Sequence, residues 1–329
     1  MARADLLKKL FSSFRQDDKE MFYTVASEII EDERKKNHGI LADDLKLILN
    51  GNYQTKRTNM LSSSTPKDND KDMPLVEVMY PEKYFSDLIV SEDRIAQLEQ
   101  IIKEFNNWDV LVSNGVFPTR RALFYGPPGC GKTLSAQALA GEIGIPMLYV
   151  RFDALISSYL GETASNIRKV FDYAKKDSWL IFFDEFDAIG RSRNDSTEHG
   201  EIKRVVNAFL QQIDNYKGRS LIIAATNFEQ SLDYAIWRRF DETIRFDMPS
   251  NEEKRKLFDL KLNKFKGPTH VIDQYLNELE AFSHSDIEKI CQIIMKQCIL
   301  EGRKIYTKND IEYAVKKQKK NVSLRKTQY

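Results

Sequence analysis

Apolar residues in the first fifty positions follow a helical period. Between Leu6 and Leu49 they recur three or four positions apart, as on one face of an amphipathic helix. The pattern predicts a small helical module over residues 1–50. Residues 51–74 are polar, are interrupted by glycine and proline, and have almost nothing to bury. This composition predicts a flexible linker.

From residue 75 to about residue 249, short apolar runs alternate with amphipathic helical stretches. The runs are ALFYG, PMLYV, LIFF and LIIAAT. Such uninterrupted runs are typical of parallel strands buried on both faces. We therefore predict an α/β domain over residues 75–249, with a parallel sheet sandwiched by helices. The runs end after Pro249, and residues 250–329 are predicted to form a small all-helical lid with a basic C-terminal tail.

Charge and cysteine content narrow the class of protein. The 50 lysines and arginines nearly balance 49 aspartates and glutamates, so the chain as a whole has no field that would attract nucleic acid or an anionic membrane. The N-terminus lacks a secretory signal pattern, and no run approaches the roughly eighteen apolar residues of a membrane span. Three cysteines without metal-type or disulfide-type spacing suit a reducing compartment. A cytoplasmic location is expected.

A phosphate-binding loop lies between the first apolar run and a helical stretch. Gly126, four residues, then Gly131, Lys132 and Thr133 form the pattern, in which glycines let backbone N–H groups turn toward phosphate oxygens. The lysine would reach the β and γ phosphates, and the threonine hydroxyl would bind Mg²⁺. The predicted nucleotide-binding residues are Gly126, Pro127, Pro128, Gly129, Cys130, Gly131, Lys132, Thr133 and Leu134.

Polar side chains end the next two apolar runs. Asp184 and Glu185 follow LIFF, and Asn227 follows LIIAAT. Because buried acids need a partner, we assign Asp184 to the metal ion and nucleotide, and Glu185 to the water that attacks the γ phosphate. Asn227 would hold that water or the phosphate in line. A turn-forming role for Asn227 is the alternative.

Several linked motifs resemble those of the AAA proper branch of the AAA+ ATPases, and their amino-acid sequences are similar to those of stand-alone bacterial AAA ATPases. The resemblance covers about residues 85–303 and rests on GPPGCGKT (126–133), SSYLGETASNIRKVF (157–171), IFFDEFDAIGRSR (181–193), AATN (224–227) and LDYAIWRRFDE (232–242). It implies a P-loop AAA+ module that binds ATP and Mg²⁺ and assembles with itself into a ring, as a homohexamer.

The resemblance also implies roles for residues outside the nucleotide site. Arg238 and Arg239 would be arginine fingers that act on the nucleotide of a neighbouring subunit; a surface salt-bridge cluster is the alternative. Tyr159 and Leu160 would line a central pore and grip a polypeptide; a core position for Tyr159 is the alternative. An aromatic, non-basic segment at 157–163 favours protein over nucleic acid as the substrate. A second pore loop is placed near 195–200, with His199.

Two positions depart from the family pattern. His284 stands where many relatives have a glycine near adenine, which makes it a candidate for nucleotide binding. Glu242 stands where many relatives have an arginine, which favours Arg238 and Arg239 as the fingers. The chain has no H-E-x-x-H motif, so the zinc-protease members of the branch are excluded.

Three functions fit these observations. The first is a homohexameric ATPase that remodels, unfolds or translocates proteins. In this reading residues 1–50 capture a substrate, an adaptor or a partner protease, and Tyr159 threads the polypeptide. The second is a regulatory ATPase whose nucleotide state gates a separate partner, such as a subtilisin-like protease. The third, a DNA motor, is disfavoured by the neutral charge and the non-basic pore segment. No membrane partner is expected.

Overall fold

A computed structural model describes most of the chain outside its N-terminal quarter. The described residues are 4–15, 18–35, 42, 45–46, 49, 65–68, 72–151, 155, 160–186, 199–228, 232 and 234–326.

Six strands form one sheet in the middle of the α/β part. They are β1 Val76–Met79, β2 Arg121–Tyr125, β3 Met147–Val150, β4 Leu180–Phe183, β5 Leu221–Thr226 and β6 Glu242–Arg245. Their order across the sheet is β1-β3-β4-β5-β2-β6. Every neighbouring pair is parallel except β1 and β3, which are antiparallel. The predicted α/β class with a parallel sheet is confirmed.

The four central strands coincide with the four apolar runs. All residues of β4 and β5 are buried, as expected for strands covered on both faces. The two edge strands were not anticipated. β1 reads VEVM and β6 reads ETIR, each with solvent-accessible polar positions, so neither has an apolar run to reveal it.

Helices cover both faces of the sheet. They are Glu92–Asn106, Trp108–Ser113, Lys132–Ile143, Leu160–Ala174, His199–Asn215 and the short Tyr234–Trp237. One hydrophobic cluster contains Phe171, Phe183 and Phe209. A second cluster, on the opposite face, contains Leu139 and Phe246. The sheet is therefore the middle layer of a three-layer α/β arrangement.

The C-terminal part is helical and has a hydrophobic cluster of its own. Its helices are Asn251–Lys261, Thr269–Tyr275, His284–Leu300 and Lys308–Lys326. Ser250 and Ser283 begin two of these helices with capping boxes, which satisfy free backbone N–H groups of the first turn. The last helix continues through most of the basic tail. Among the described residues of the C-terminal part, the only strand-like feature is a single parallel bridge between residues 266 and 305.

Two helices, Ala4–Arg15 and Lys19–Lys35, are described within the predicted N-terminal module. The second buries Val25 and Ile29, in keeping with the amphipathic pattern. Phe11 and Phe14 on the first helix are 72% and 74% exposed. Across the described ranges, no helix combines the length and apolar character needed to cross a membrane.

The described end of the predicted linker is attached to the folded structure. Residues 67 and 74 form an antiparallel bridge. Asp68 is 4% exposed, and its Oδ1 accepts a hydrogen bond of 2.9 Å from the Asn166 side chain. The Lys169 ammonium donates to the Lys67 carbonyl oxygen. Residues 65–68 and 72–74 therefore do not behave as free linker; the rest of the predicted linker lies outside the described residues.

Candidate functional site

The phosphate loop connects the end of β2 to the helix Lys132–Ile143, as the sequence predicts. Gly126, Gly129 and Gly131 all have positive φ, at 131°, 75° and 94°, a region that favours glycine. A Cβ at Gly126 would overlap the backbone carbonyl of Phe246. The turn thus favours glycine at all three positions, and at Gly126 the close approach of Phe246, which follows β6, also leaves no room for a side chain.

Lys132 is the buried cation of the loop. Its side chain is 6% exposed, and its ammonium donates hydrogen bonds of 2.7 and 2.9 Å to the carbonyl oxygens of Gly126 and Pro127. These two carbonyls hold the positive charge at the mouth of the loop. A fixed ammonium there is suited to binding phosphate oxygens.

Strand register brings the polar residues of three strands together. Tyr125 pairs with Thr226, so the phosphate loop and Asn227 leave the sheet side by side. Phe183 pairs with Ala224, which places Asp184 at the same edge. This is the carboxyl edge of the parallel strands, where α/β folds bind ligands.

The two acids after β4 have different environments. Asp184 Oδ2 accepts a hydrogen bond of 3.0 Å from Thr133 Oγ1, and its Oδ1 accepts one of 2.9 Å from the Glu185 amide. Glu185 is exposed and has a positive φ of 51°, which is uncommon for a residue other than glycine. The next amide, of Phe186, donates to the Ala225 carbonyl of β5. This bond fixes the turn that presents Glu185.

A single cleft of about 350 Å³ joins these residues. It lies between the α/β part and the helical C-terminal part. From the predicted site it is lined by Pro128, Gly129, Gly131, Lys132, Thr133, Leu134, Asp184, Glu185, Asn227 and His284.

The predictions missed the remaining lining residues. They are Asp87, Leu88, Ile89, Val90, Leu257, Lys261, Ser285 and Glu288. Residues 87–90 follow β1, and the other four belong to two C-terminal helices. Lys261 and Glu288 form an ion pair of 2.6 Å across these helices. Nothing in their spacing marks them as site residues, because only tertiary packing brings them to the phosphate loop.

Three predicted nucleotide-binding residues do not line the cleft. Gly126 and Pro127 act through the carbonyl oxygens that hold Lys132. Cys130 is fully buried, with its sulfur 3.8 Å from the Pro128 carbonyl oxygen and from the Met248 sulfur. Burial raises the pKa of the Cys130 thiol to about 11. Its side chain is a neutral packing group.

His284 lies where the helical part contacts the phosphate loop. It is the first residue of the helix His284–Leu300, and the amide of the next residue, Ser285, donates to the Gly129 carbonyl oxygen at 3.0 Å. Burial lowers the pKa of His284, against the opposing charge of Glu253. The ring is therefore neutral near pH 7.

Arg238 and Arg239 are exposed and do not line the cleft. The Arg238 guanidinium lies 4.3 Å from the centre of the Tyr234 ring and donates to its hydroxyl at 3.2 Å. Arg239 pairs with Asp214 at 2.8 Å, and Asp214 also pairs with Arg121 at the start of β2. The phosphate loop follows the other end of this strand, roughly 13 Å away at the usual rise per residue.

The predicted pore residues are only partly described. Tyr159 lies outside the described residues. Leu160 and His199 begin the helices Leu160–Ala174 and His199–Asn215. Residues 195–198 of the predicted second pore loop also lie outside the described residues.

The oxygen ligands at the cleft fit a magnesium ion bound together with phosphates. Among the described residues, no group of three or more His, Cys, Asp or Glu side chains is placed to hold a metal. Thr133 Oγ1 and Asp184 Oδ2 are 3.0 Å apart and are hard oxygen donors. Mg²⁺ typically takes one or two protein oxygens and completes its shell with phosphate and water.

Comparison with known proteins agrees with this geometry. A sequence profile described as "ATPase family associated with various cellular activities (AAA)" matches residues 122–248. An uncharacterized AAA family ATPase of Sinorhizobium fredii is 42% identical over 324 residues, which are 96% of this chain and 95% of that protein. A putative 26S proteasome regulatory subunit homolog of Methanocaldococcus jannaschii is 33% identical, over 80% of this chain and 71% of its own. A proteasome-activating nucleotidase of Saccharolobus solfataricus is 33% identical, over 75% and 66%.

Proposed function

The chain belongs to the AAA family of ATPases, and from this premise we propose that it is a magnesium-dependent motor that hydrolyses ATP in a homo-oligomeric ring and remodels proteins. The observation that carries the proposal is the cleft in which Lys132, Thr133, Asp184, Glu185 and Asn227 meet. Each offers a group that phosphoryl transfer to water requires.

Binding of the triphosphate falls to the loop and its lysine. The N–H groups at the start of the helix Lys132–Ile143 and the buried ammonium of Lys132 provide positive charge for phosphate oxygens. Thr133 and Asp184 would hold Mg²⁺, which neutralises charge on the phosphates when bound. Their mutual hydrogen bond keeps both oxygens in position.

Activation of water falls to Glu185 and Asn227. Glu185 is fixed at the end of β4 by the amides around it, and its carboxylate would accept a proton from the attacking water. Asn227 comes from the neighbouring strand β5, and its amide would orient that water. Removing the carboxylate while keeping the shape of the side chain should stop hydrolysis and leave nucleotide binding intact.

The position of the two arginines supports a site shared between subunits. Neither Arg238 nor Arg239 lines the cleft of its own subunit, and Asp214, the partner of Arg239, also pairs with Arg121 at the start of β2, the end away from the phosphate loop. Arg239 is held by Asp214 with its guanidinium partly exposed. An arginine supplied in trans is worth about a thousandfold or more in rate, so a solitary subunit should be nearly inactive.

Protein remodelling is the action we propose for the ring, with Tyr159 and Leu160 gripping an extended polypeptide in a central pore. The support is the resemblance of their motif to the AAA proper branch and the similarity to proteins named as proteasome-activating nucleotidases. Those names also favour a second candidate, a nucleotide-switched ATPase that gates a separate protease. In both cases residues 1–50 would bind the partner or adaptor.

A mixing experiment tests the shared site. We expect Glu185→Gln and Arg239→Ala proteins each to lack ATPase activity. Mixed in equal amounts and allowed to reassemble, they should regain activity. About a quarter of the interfaces would then combine an intact Glu185 with an intact Arg239 from the neighbour. Mass photometry on the same samples reports the oligomeric state.

The control is Arg245→Ala, which removes an exposed arginine that pairs with Asp247 on the edge strand β6. Arg245→Ala should keep the wild-type ATPase activity, both by itself and when it is mixed with the wild-type protein. Wild-type specific activity should rise with protein concentration as rings form. An active monomer that tolerates Arg239→Ala, or a mixture that stays inactive while rings are present, would contradict the shared site.

A variant of Tyr159 distinguishes the remodelling function from the gating function. Tyr159→Ala should leave basal ATP hydrolysis intact in both cases. Fluorescein-labelled casein, used as an unstructured polypeptide probe, should stimulate the wild-type ATPase and not the variant if Tyr159 grips the substrate. Equal stimulation of both proteins, or none of either, would instead favour gating of a partner.

A further inference from the structure

The two N-terminal helices fold back on each other as a hairpin. Only residues 16–18 separate them along the chain, and the rings of Phe14 and Phe22, one on each helix, lie 6.3 Å apart. Two helices that are joined by so short a connection and touch beside it run antiparallel. The first helix is covered on one side only, since Ser13 is buried whereas Phe14 is exposed. Its other side is open to a further partner.

The exposed apolar side of this hairpin, which we call the apolar face, consists of Leu7, Phe11, Phe14 and Tyr23. At about 100° per residue, the first three fall within an arc of about 60° on the first helix. Tyr23 on the second helix joins them through Phe22, whose ring contacts that of Phe14 and lies 6.2 Å from that of Tyr23. A contiguous group of exposed aromatic side chains is typical of an interaction surface.

The two borders of the apolar face carry opposite charges. Lys8 and Arg15 flank it on the first helix, and Glu20 and Glu31 flank it on the second; all four side chains are exposed. Each lies within about 80° of an apolar residue of the face about its helix axis. On each helix these charges are roughly opposite the buried side. The basic border and the acidic border therefore lie on opposite sides of the face.

A second copy of the hairpin complements this pattern of charge. When two such faces meet about a two-fold axis parallel to the helices, the first helix of each copy lies over the second helix of the other. The basic border then meets an acidic border twice. An anionic membrane, by contrast, would attract Lys8 and Arg15 but repel Glu20 and Glu31. The charges therefore favour a second copy over a membrane.

We propose that the apolar face binds the apolar face of a second copy of this chain, so that the N-terminal hairpins of two subunits pair. Phe11 and Phe14, which are exposed in the single chain, would be buried between the hairpins. The pairing does not depend on the nucleotide site. It uses one face of the hairpin, so other surfaces of residues 1–50 stay available to the partner or adaptor proposed above.

Crosslinking of the full-length protein reports the pairing. Ser27 is exposed on the second helix, one turn after Tyr23, and the three native cysteines are buried. Ser27→Cys therefore supplies a single accessible thiol per chain. In paired hairpins the two thiols lie on diagonally opposed helices, whose axes are about 14 Å apart if neighbouring helices are about 10 Å apart. Bismaleimidohexane should link them into a two-chain product.

Charge reversal tests the pairing directly. In the Ser27→Cys background, one variant carries Lys8→Glu with Arg15→Glu, and another carries Glu20→Lys with Glu31→Lys. Either variant alone places like charges along both borders, so the two-chain product should be lost. In an equal mixture that is allowed to reassemble, opposite charges meet again at both borders. The product should return and contain one chain of each variant, as its mass will show.

Two controls separate the pairing from general effects. Lys316→Glu with Lys320→Glu makes the same change of charge on exposed positions of the last helix and should leave the product unchanged. Phe11→Gln removes a ring from the apolar face without changing its charge, and the product should be lost. Circular dichroism on every variant should match the wild type, because each changed side chain is exposed on a helix.

Three results would overturn the pairing. They are no two-chain product from Ser27→Cys alone, a product that survives both charge reversals, and a mixture that stays uncrosslinked although its circular dichroism is that of the wild type. Vesicles containing phosphatidylserine test the alternative partner. If the wild type binds them without forming the two-chain product, and Lys8→Glu with Arg15→Glu abolishes this binding, the apolar face contacts a membrane instead.

Discussion

The contact between the phosphate loop and the helical part at Gly129 makes a quantitative prediction about Gly129→Ala. Gly129 has a φ of 75°. A Cβ there would lie 2.7 Å from Ser283 Oγ and 3.0 Å from Ser285 Cβ. Ser283 cannot turn away without loss, because its hydroxyl donates to Asp286 at 2.8 Å and caps the helix. The helix start would therefore have to move away from the loop.

The expected cost has two parts. An alanine in the left-handed region costs about 1–2 kcal/mol. Moving the helix start also breaks the hydrogen bond from the Ser285 amide to the Gly129 carbonyl, worth about 1 kcal/mol. Gly131→Ala is the matched control, since Gly131 has a φ of 94° and no described atom lies within 4 Å of its Cβ position. Gly131→Ala should therefore show only the backbone cost of an alanine in the left-handed region.

Urea unfolding of the nucleotide-free proteins measures the difference. We expect Gly129→Ala to lose about 2–3 kcal/mol of unfolding free energy and Gly131→Ala about 1–2 kcal/mol. The slopes with denaturant should match the wild type if the fold is kept. Equal losses in both variants would refute the reasoning, because the contact with the helix would then contribute nothing beyond backbone strain.

Two further predictions concern the buried carboxylates of Asp310 and Asp68. The ion pair with Arg303 lowers the pKa of Asp310 from 3.8 to about 2. Asp310 should therefore contribute about 2 kcal/mol to the free energy of unfolding above pH 4, and this contribution should be lost as the pH falls toward 2. The free energy of unfolding of Asp310→Asn, measured between pH 5 and 2, should lack this part of the acid dependence; a pH profile identical to that of the wild type would contradict the prediction. Asp68→Ala removes the hydrogen-bond acceptor of the buried Asn166 side-chain amide and should lower the free energy of unfolding by about 1–3 kcal/mol. Amide hydrogen exchange over residues 65–75 should become faster. Unchanged exchange there would show that this hydrogen bond does not anchor the segment.

The sequence predicts the centre of the sheet well and its edges poorly, for a physical reason. β4 and β5 are covered on both faces, so every residue is apolar or small, and the run is visible without knowledge of its partners. β1 and β6 have a neighbour on one side only and include charged residues such as Glu77 and Arg245. Their strand conformation depends on pairing with β3 and β2, which local composition does not encode.

The candidate site divides in the same way. The phosphate loop and the ends of β4 and β5 were predictable, because a glycine pattern and strand ends fix their backbone positions. The ion pair between Arg239 and Asp214 and the place of Lys261 in the cleft were not. Each depends on packing between segments far apart in the chain. His284 was visible as a departure from the family pattern, but its unsatisfied ring nitrogens appear only in the structure.

The predicted linker shows why average polarity does not establish that a segment is free. Asp68 is as polar as its neighbours, yet it is buried and bonded to Asn166 of the helix Leu160–Ala174. A buried acid needs fixed partners, so this hydrogen bond holds residues 65–68 against the helix. The helix begins at Leu160, one of the residues we propose to grip a polypeptide. The contact with Asn166 therefore ties the described end of the predicted linker to the element that carries Leu160.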